Sequence, residues 1–421
     1  MTRRPRLLAA LGVLVAVGVV AGLVVGGAIG PSAPSGPAGQ TGSGSPGSGN
    51  GASGNGADGG SGGPTPVPTP RPAPGHEVYG FLPYWRMDDR IASHLVGADL
   101  TTLALFSVTN NRTGELDTSQ KGYLKIVGPL GGQLIREAHD RGTRVEVVFS
   151  SFGTARNKRL FGSVKIQDAA IAGLVALVAQ TGTDGVNVDV ELLEAGLVPA
   201  YGAFVGRLRA ALQAARPRAQ VSVATTANAG GASLAAAAST AGADRIFLEG
   251  YDYHWSGSAP GASAPISRRD GSEKNLVWSL DLYEALGVPV ERTILGLPLY
   301  GMAWPVSGPE VAAPHTGKGV AWIPSDHLDI LNDPTLVPVL DELEQVEVYT
   351  LPTDKSGAPT AAASPAGWLA IYVDSPATLT PKIRLATERG LAGVGFWAIG
   401  YEQGQPDFAD LIARFRAGKL D

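Results

Sequence analysis

The chain contains no cysteine. That excludes disulfides, thiolate metal sites and a cysteine nucleophile. A basic surplus is absent too: the formal net charge is -5, which offers no footprint for nucleic acid. Charge is missing altogether from Leu7 to about Gly30, and between residues 31 and 75 only Asp58 and Arg71 carry any. These two gaps set the organisation of the 421 residues, because composition turns globular only from His76.

The first gap reads as a membrane segment. Arg3, Arg4 and Arg6 precede the apolar run 7–30, and a spanning helix needs about 20 apolar residues. A cleaved signal ends in a small-x-small site; the candidate here, Ala28-Ile29-Gly30, is followed at once by Pro31. The expectation is an uncleaved anchor, with a cleaved signal sequence as the alternative. The arginines then stay cytoplasmic and the rest lies on the extracellular side of the membrane. The second gap, residues 31–75, is almost wholly Gly, Ser, Pro, Ala, Thr and Asn. It cannot bury a core and reads as a disordered linker, with a root-mean-square reach of roughly 40 Å.

Residues 76–421 read as one domain. Apolar, β-branched runs predict strands at 78–85, 100–108, 144–150, 184–191, 219–226, 246–252, 293–299 and 391–399. Helical spacing falls between them, at 123–138, 166–179, 201–215, 276–286, 381–389 and 408–415. A weak Ala-rich helix follows the fifth strand; eight apolar strands alternating with helices argue for an α/β fold with a parallel sheet, and eight such units for a closed (β/α)8 TIM barrel. The stretch from about 304 to 367 is too long for a loop and carries a strand-like run at 346–351, with another just beyond it at 368–373. It reads as a small α+β insertion after strand seven. A monomer is expected.

Within this frame the chemistry is expected on Asp184-Gly185-Val186-Asn187-Val188-Asp189-Val190-Glu191. Valines alternate with polar groups, so one strand face is apolar and the other carries an amide and two carboxylates. Asp189 and Glu191 are two residues apart, about 6.5 Å along the strand. Proximity is expected to raise the pKa of one, as a general acid requires. Strand six ends in Tyr251, Asp252, Tyr253, His254 and Trp255, strand eight in Trp397 and strand one in Tyr84 and Trp85. In a barrel of this kind such groups gather at one rim, and flat aromatics with a few acids suit a sugar.

The acidic stretch resembles the DxxDxDxE signature of glycoside hydrolase family 18, the chitinase family, through Asp184, Asp189 and Glu191. Tyr251-Asp252 resembles its strand-six pair, Gly296-x-Pro298-x-Tyr300-Gly301 its strand-seven motif, and Trp397 the tryptophan under the cleaved sugar; Phe81 falls where strand one supplies an aromatic. Three positions depart from the pattern: Asn187 for an aspartate, Phe152 for a glycine and Glu249 for a methionine. Spore-cortex hydrolases resemble this sequence in having Asn at the first. The resemblance implies retaining, substrate-assisted hydrolysis of a glycan containing N-acetylglucosamine, peptidoglycan or chitin, with no cofactor. It implies Glu191, Asp189 and Tyr251 as catalytic residues, with Asp184, Asn187 and Asp252 supporting them. It implies Phe81, Trp397 and Tyr253 as substrate-binding.

Two rivals stand beside this reading. One is a catalytically inactive, lectin-like protein on the same barrel. The other is a metal-dependent enzyme. Against a metal stand two expectations: His254 is the only histidine near a strand end, and the acids lie on one strand.

Overall fold

A computed structural model describes residues 76–361 and 364–420. The expected anchor at 7–30 and linker at 31–75 lie outside the described residues. Eight parallel strands close into a barrel: β1 (Glu77–Pro83), β2 (Thr102–Val108), β3 (Arg144–Phe152), β4 (Gly185–Glu191), β5 (Gln220–Thr226), β6 (Arg245–Glu249), β7 (Thr293–Pro298) and, last in the chain, β13 (Gly393–Trp397). Order around the barrel follows the chain, with β13 between β7 and β1. Helices cross from strand to strand and cover the outside, so the strand faces turned outward are continuously apolar.

Between β7 and β13 a second sheet is inserted. Strands β8 (Gly301–Val306), β9 (Val320–Trp322), β10 (Val339–Asp341), β11 (Val346–Thr353) and β12 (Gly367–Val373) pair antiparallel in the order β10-β11-β12-β8-β9. This sheet begins earlier and ends later than the run 304–367, because β8 and β12 form its centre.

Inside the barrel a separate apolar cluster fills the lumen: Tyr79, Phe81, Ala104, Phe106, Val148, Ala224, Phe247, Ile294 and Ala392. Phe247 fits there because its neighbours are glycines. A Cβ on Gly296 would come within 2.3 Å of its ring, and one on Gly395 within 2.4 Å. The glycine that opens the strand-seven motif thus makes room for an aromatic floor.

Two helices differ from expectation. The segment 123–138 is two helices, Lys121–Val127 and Pro129–Asp140, parted at Gly128, since a proline disfavours helical backbone at the residue before it. The helix expected from Pro381 starts at Pro376, capped by Ser375 and Thr378 in a reciprocal pair, and Pro381 lies inside it. The start signal was the serine and its own proline, five residues upstream.

Candidate active site

Strand β4 organises the site. Val186, Val188 and Val190 are buried in the outer core, and Asn187, Asp189 and Glu191 therefore face the lumen. Glu191 ends the strand at a fixed position. Its carbonyl accepts the Gly153 N–H at 3.3 Å and the side-chain amide of Asn157, which the Ser151 hydroxyl holds at 2.7 Å. Leu192 then turns the chain away with a φ of 61°.

A third acid joins the pair. Phe247 lies in the lumen cluster, so Glu249, two residues on, points the same way. On β5, between the two strands, Ala224 pairs in register with Asp189 and Thr226 with Glu249. Carboxylate oxygens of Asp189, Glu191 and Glu249 all lie within 4.8 Å of one another.

Burial pushes Glu191 up to about 7, with the charge of Asp252 as the second cause. Burial and then Glu191 push Asp189 well above the usual carboxylate range. Glu249 is raised well above it by burial and then by Asp189, Glu191 and Asp252. Proximity alone was expected to lift one acid; burial is the larger cause, and it lifts three. Asp189 Oδ1 is buried without a hydrogen bond, which further disfavours the anion.

The expectation that acids on a single strand argue against a metal loses its premise, because Glu249 comes from β6. Three carboxylates have the spacing of a cation site. An all-oxygen donor set would suit a hard cation. Ligation needs the deprotonated form, so a cation there would have to displace the protons that burial favours. His254 stands elsewhere: its Nδ1 lies 2.8 Å from the Ala259 carbonyl and its Nε2 3.4 Å from Glu344 of the insertion.

Aromatic groups complete the mouth. Phe81 is buried in the lumen, its ring 5.7 Å from that of Trp397. Trp397, half-buried at the end of β13, also meets Phe106 at 4.8 Å and Trp85 at 6.3 Å. Tyr251 packs on the same cluster and meets Tyr300 edge-on at 6.2 Å. Its phenol is raised by burial and then by Glu249, so it stays a hydrogen-bond donor. Tyr300 in turn donates to Asp252. Asn187 sits one layer lower, where it donates to Ser222 at 2.8 Å; Ser222 and Tyr79 both donate to the buried carboxyl of Glu146.

Two expected residues are not brought to this mouth. Tyr253 lies in the outer core with its hydroxyl 2.6 Å from Ser279. Asp252, with a φ of 60°, breaks the alternation that would have turned it inward. Asp184 precedes β4 and so lies at the opposite end, about 23 Å away along the strand at the usual rise. There it accepts from the Val145 N–H at 2.9 Å and pairs with His139 at 2.8 Å. Two residues read as departures belong to the site. Glu249 is one. Phe152 is the other: it pairs in register with Glu191, stacks on Phe106 at 6.4 Å, and keeps 42% of its surface exposed.

The model of glycosyl hydrolases family 18 matches residues 84–402. The chain belongs to that family. Among curated proteins, a class V chitinase of Lotus japonicus is 32% identical over 123 residues, 28% of this chain and 28% of its own length. Oviduct-specific glycoprotein of Bos taurus is 27% identical over 230 residues, 51% of this chain and 41% of its own length. The chain therefore spans less than half the length of these relatives. The spore cortex-lytic enzyme SleL of Bacillus cereus superposes with a TM-score of 0.64 at 17% identity, over 82% of this chain and 76% of that one. The family 18 chitinase of Cycas revoluta, in complex with (GlcNAc)3, gives 0.66 at 18% identity, over 82% of this chain and all of that one (100%). Those identities carry the fold and no more. The chain is thus a member of family 18 on a (β/α)8 barrel.

Proposed function

We propose that the protein hydrolyses β-1,4-linked glycan containing N-acetylglucosamine, with retention and with the substrate's own 2-acetamido group as nucleophile. The observation that carries this is Glu191: an acid at a strand end, with a pKa of about 7, beside a second acid and an aromatic floor. A group of that acidity is poised to give a proton near neutral pH and to take one back. Glu191 protonates the leaving oxygen. The acetamido oxygen attacks the anomeric carbon as that bond breaks. Asp189 holds the acetamido N–H, Tyr251 donates to its oxygen, and Trp397, backed by the buried Phe81, forms the floor beneath the ring. Water then opens the cyclic cation while Glu191 accepts its proton.

Carboxylates this close also fit direct attack by an acid, as in other retaining glycosidases, where the two groups stand about 5–5.5 Å apart. Product analysis separates the two. Chitin oligomers and purified peptidoglycan are digested side by side, with the anomer read by NMR. The expected result is β product and no cleavage of a glucose analogue lacking the 2-acetamido group. Cleavage of that analogue would assign the attack to Asp189. Tight binding without cleavage would favour the lectin-like reading. Loss of cleavage on chelation would favour a metal. The apolar run 7–30 is read as the anchor that holds this activity at the cell surface, with residues 31–75 as its tether; N-terminal sequencing that began beyond residue 30 would overturn the anchor.

A further inference from the structure

Two departures from the family pattern, read separately in the sequence, both bear on Asp189: Asn187 precedes it by two residues on the lumen face of β4, and the carboxylate of Glu249 reaches it from β6. Position 187 is an asparagine, so β4 carries one carboxylate fewer beside Asp189. Position 249 is a glutamate on β6, and its carboxylate reaches within 4.8 Å of both Asp189 and Glu191. The acid lost from one strand is regained from another. Resting on the reading of Glu191 as general acid, we propose that Glu249 is a positioning residue for the Asp189–Glu191 pair: it supplies from β6 the third carboxylate that Asn187 withholds, and shares the proton Glu191 delivers.

The physical ground is like-charge repulsion in a half-dry mouth. Two ionised carboxylates a few ångströms apart are costly, and three more so; such sites keep protons that isolated acids would lose. The groups that face Glu249 strengthen the effect. They are Asp189 and Glu191 from β4, Tyr251 and Asp252 following β6, and Tyr283 from the helix Leu276–Ala285. Tyr201, from the helix Val198–Ala215, feels Asp189, and Tyr300, following β7, faces Tyr251 and Asp252. All are acids or phenols, and no cation is among the charges that shift Glu249. Asn187 cannot take a share, since its amide is committed to Ser222 and it has no proton to exchange. The protons held by the mouth therefore belong to the three acids jointly.

The test is the pH dependence of kcat in four proteins: wild type, Glu249→Gln, Glu249→Met, and Glu249→Gln combined with Asn187→Asp. Removing the charge at 249 lowers the affinity of Glu191 for its proton. The alkaline limb should move to lower pH by about one unit, with the optimal rate reduced roughly tenfold. Restoring an acid at 187 should move the limb back up, which a merely structural role for Glu249 would not do. An unmoved limb in both single variants, or no recovery in the double variant, overturns the proposal. A wild type that cleaves no glycan would sink the hydrolase reading instead. The proposal is then decided by infrared titration of protonated carboxyl groups. Glu249→Gln should lose more than one group's signal at neutral pH, because its neighbours release protons too; loss of one group's signal alone overturns it.

Discussion

The two mouths of the barrel are built by the same strands and both carry acids, yet their electrostatics are opposite. At the N-terminal mouth acids have basic partners. Asp184 pairs with His139 at 2.8 Å, Asp244 with Arg209 at 3.2 Å, and Glu77 with Arg245. Backbone amides help: Val145 donates to Asp184 and Val221 to Asp244, each at 2.9 Å. At the C-terminal mouth Asp189, Glu191 and Glu249 face one another. Strand β4 runs from one regime to the other in seven residues, Gly185–Glu191. In barrels of this kind the lower rim serves stability and reacting groups gather at the upper one; here the upper rim holds its acids with no cation among the charges that shift Glu249. It also means the two ends respond to pH with opposite sign.

The comparison breaks most sharply at Glu191. Glu191→Gln keeps shape and removes the proton, so kcat should fall by about 10²- to 10⁴-fold, while oligosaccharide binding, read by calorimetry, persists. Stability should move the other way. The folded protein holds the Glu191 carboxyl up at about 7, above its value of about 4.3 in an unfolded chain. Folding is therefore penalised progressively as pH rises from the unfolded value through the folded one. The Gln variant should melt higher than wild type above about pH 7 and at the same temperature near pH 4. An equal Tm at pH 8 would mean that Glu191 carries no strain.

Asp184 sharpens the contrast from below. Burial alone would raise its carboxyl, but the bonds from His139 and Val145 outweigh that and hold it below the usual range. Its contribution is therefore fully present above the unfolded value, about 3.9, and is lost as pH falls through the folded one. Asp184→Ala should cost about 1–3 kcal/mol at neutral pH, the range for leaving buried partners unsatisfied. The deficit should shrink in acid, and the pH profile of kcat should stay unchanged. A shifted kinetic profile would show that the lower end reaches the chemistry after all.

Much of this was legible from periodicity. The alternation of valine with acid on β4 revealed both the buried face and the lumen face, and the aromatic strand ends marked the rim. What was hidden has physical reasons. Asp184 shares a motif with Glu191, but a motif that spans a whole strand joins two ends with different tasks. Glu249 was visible only as a departure, although strand parity from Phe247 would have turned it inward. Tyr253 had the same parity, and failed because Asp252 adopts left-handed backbone, which no spacing rule announces. The meeting of acids from β4 and β6 across β5 depends on the closed barrel, a tertiary fact.

The smallest expected effect lies at Phe152, on the C-terminal rim. Its ring stacks on Phe106 at an interplanar angle of 23° and leaves 42% of its surface to solvent, level with Glu191. An exposed flat face beside Glu191 would suit a pyranose ring one step along the proposed glycan. Stacking of this kind contributes about 0.5–1.5 kcal/mol. Phe152→Ala should therefore raise KM for a long oligosaccharide about three- to tenfold and leave kcat alone. Because the side chain is exposed, the fold should hardly notice. Phe81→Ala is the control: Phe81 is 2% exposed, and losing it should cost about 3–5 kcal/mol of stability through the cavity left behind. A Phe152 variant that lost stability like Phe81, with an unchanged KM, would make this ring part of the core and withdraw it from the binding surface.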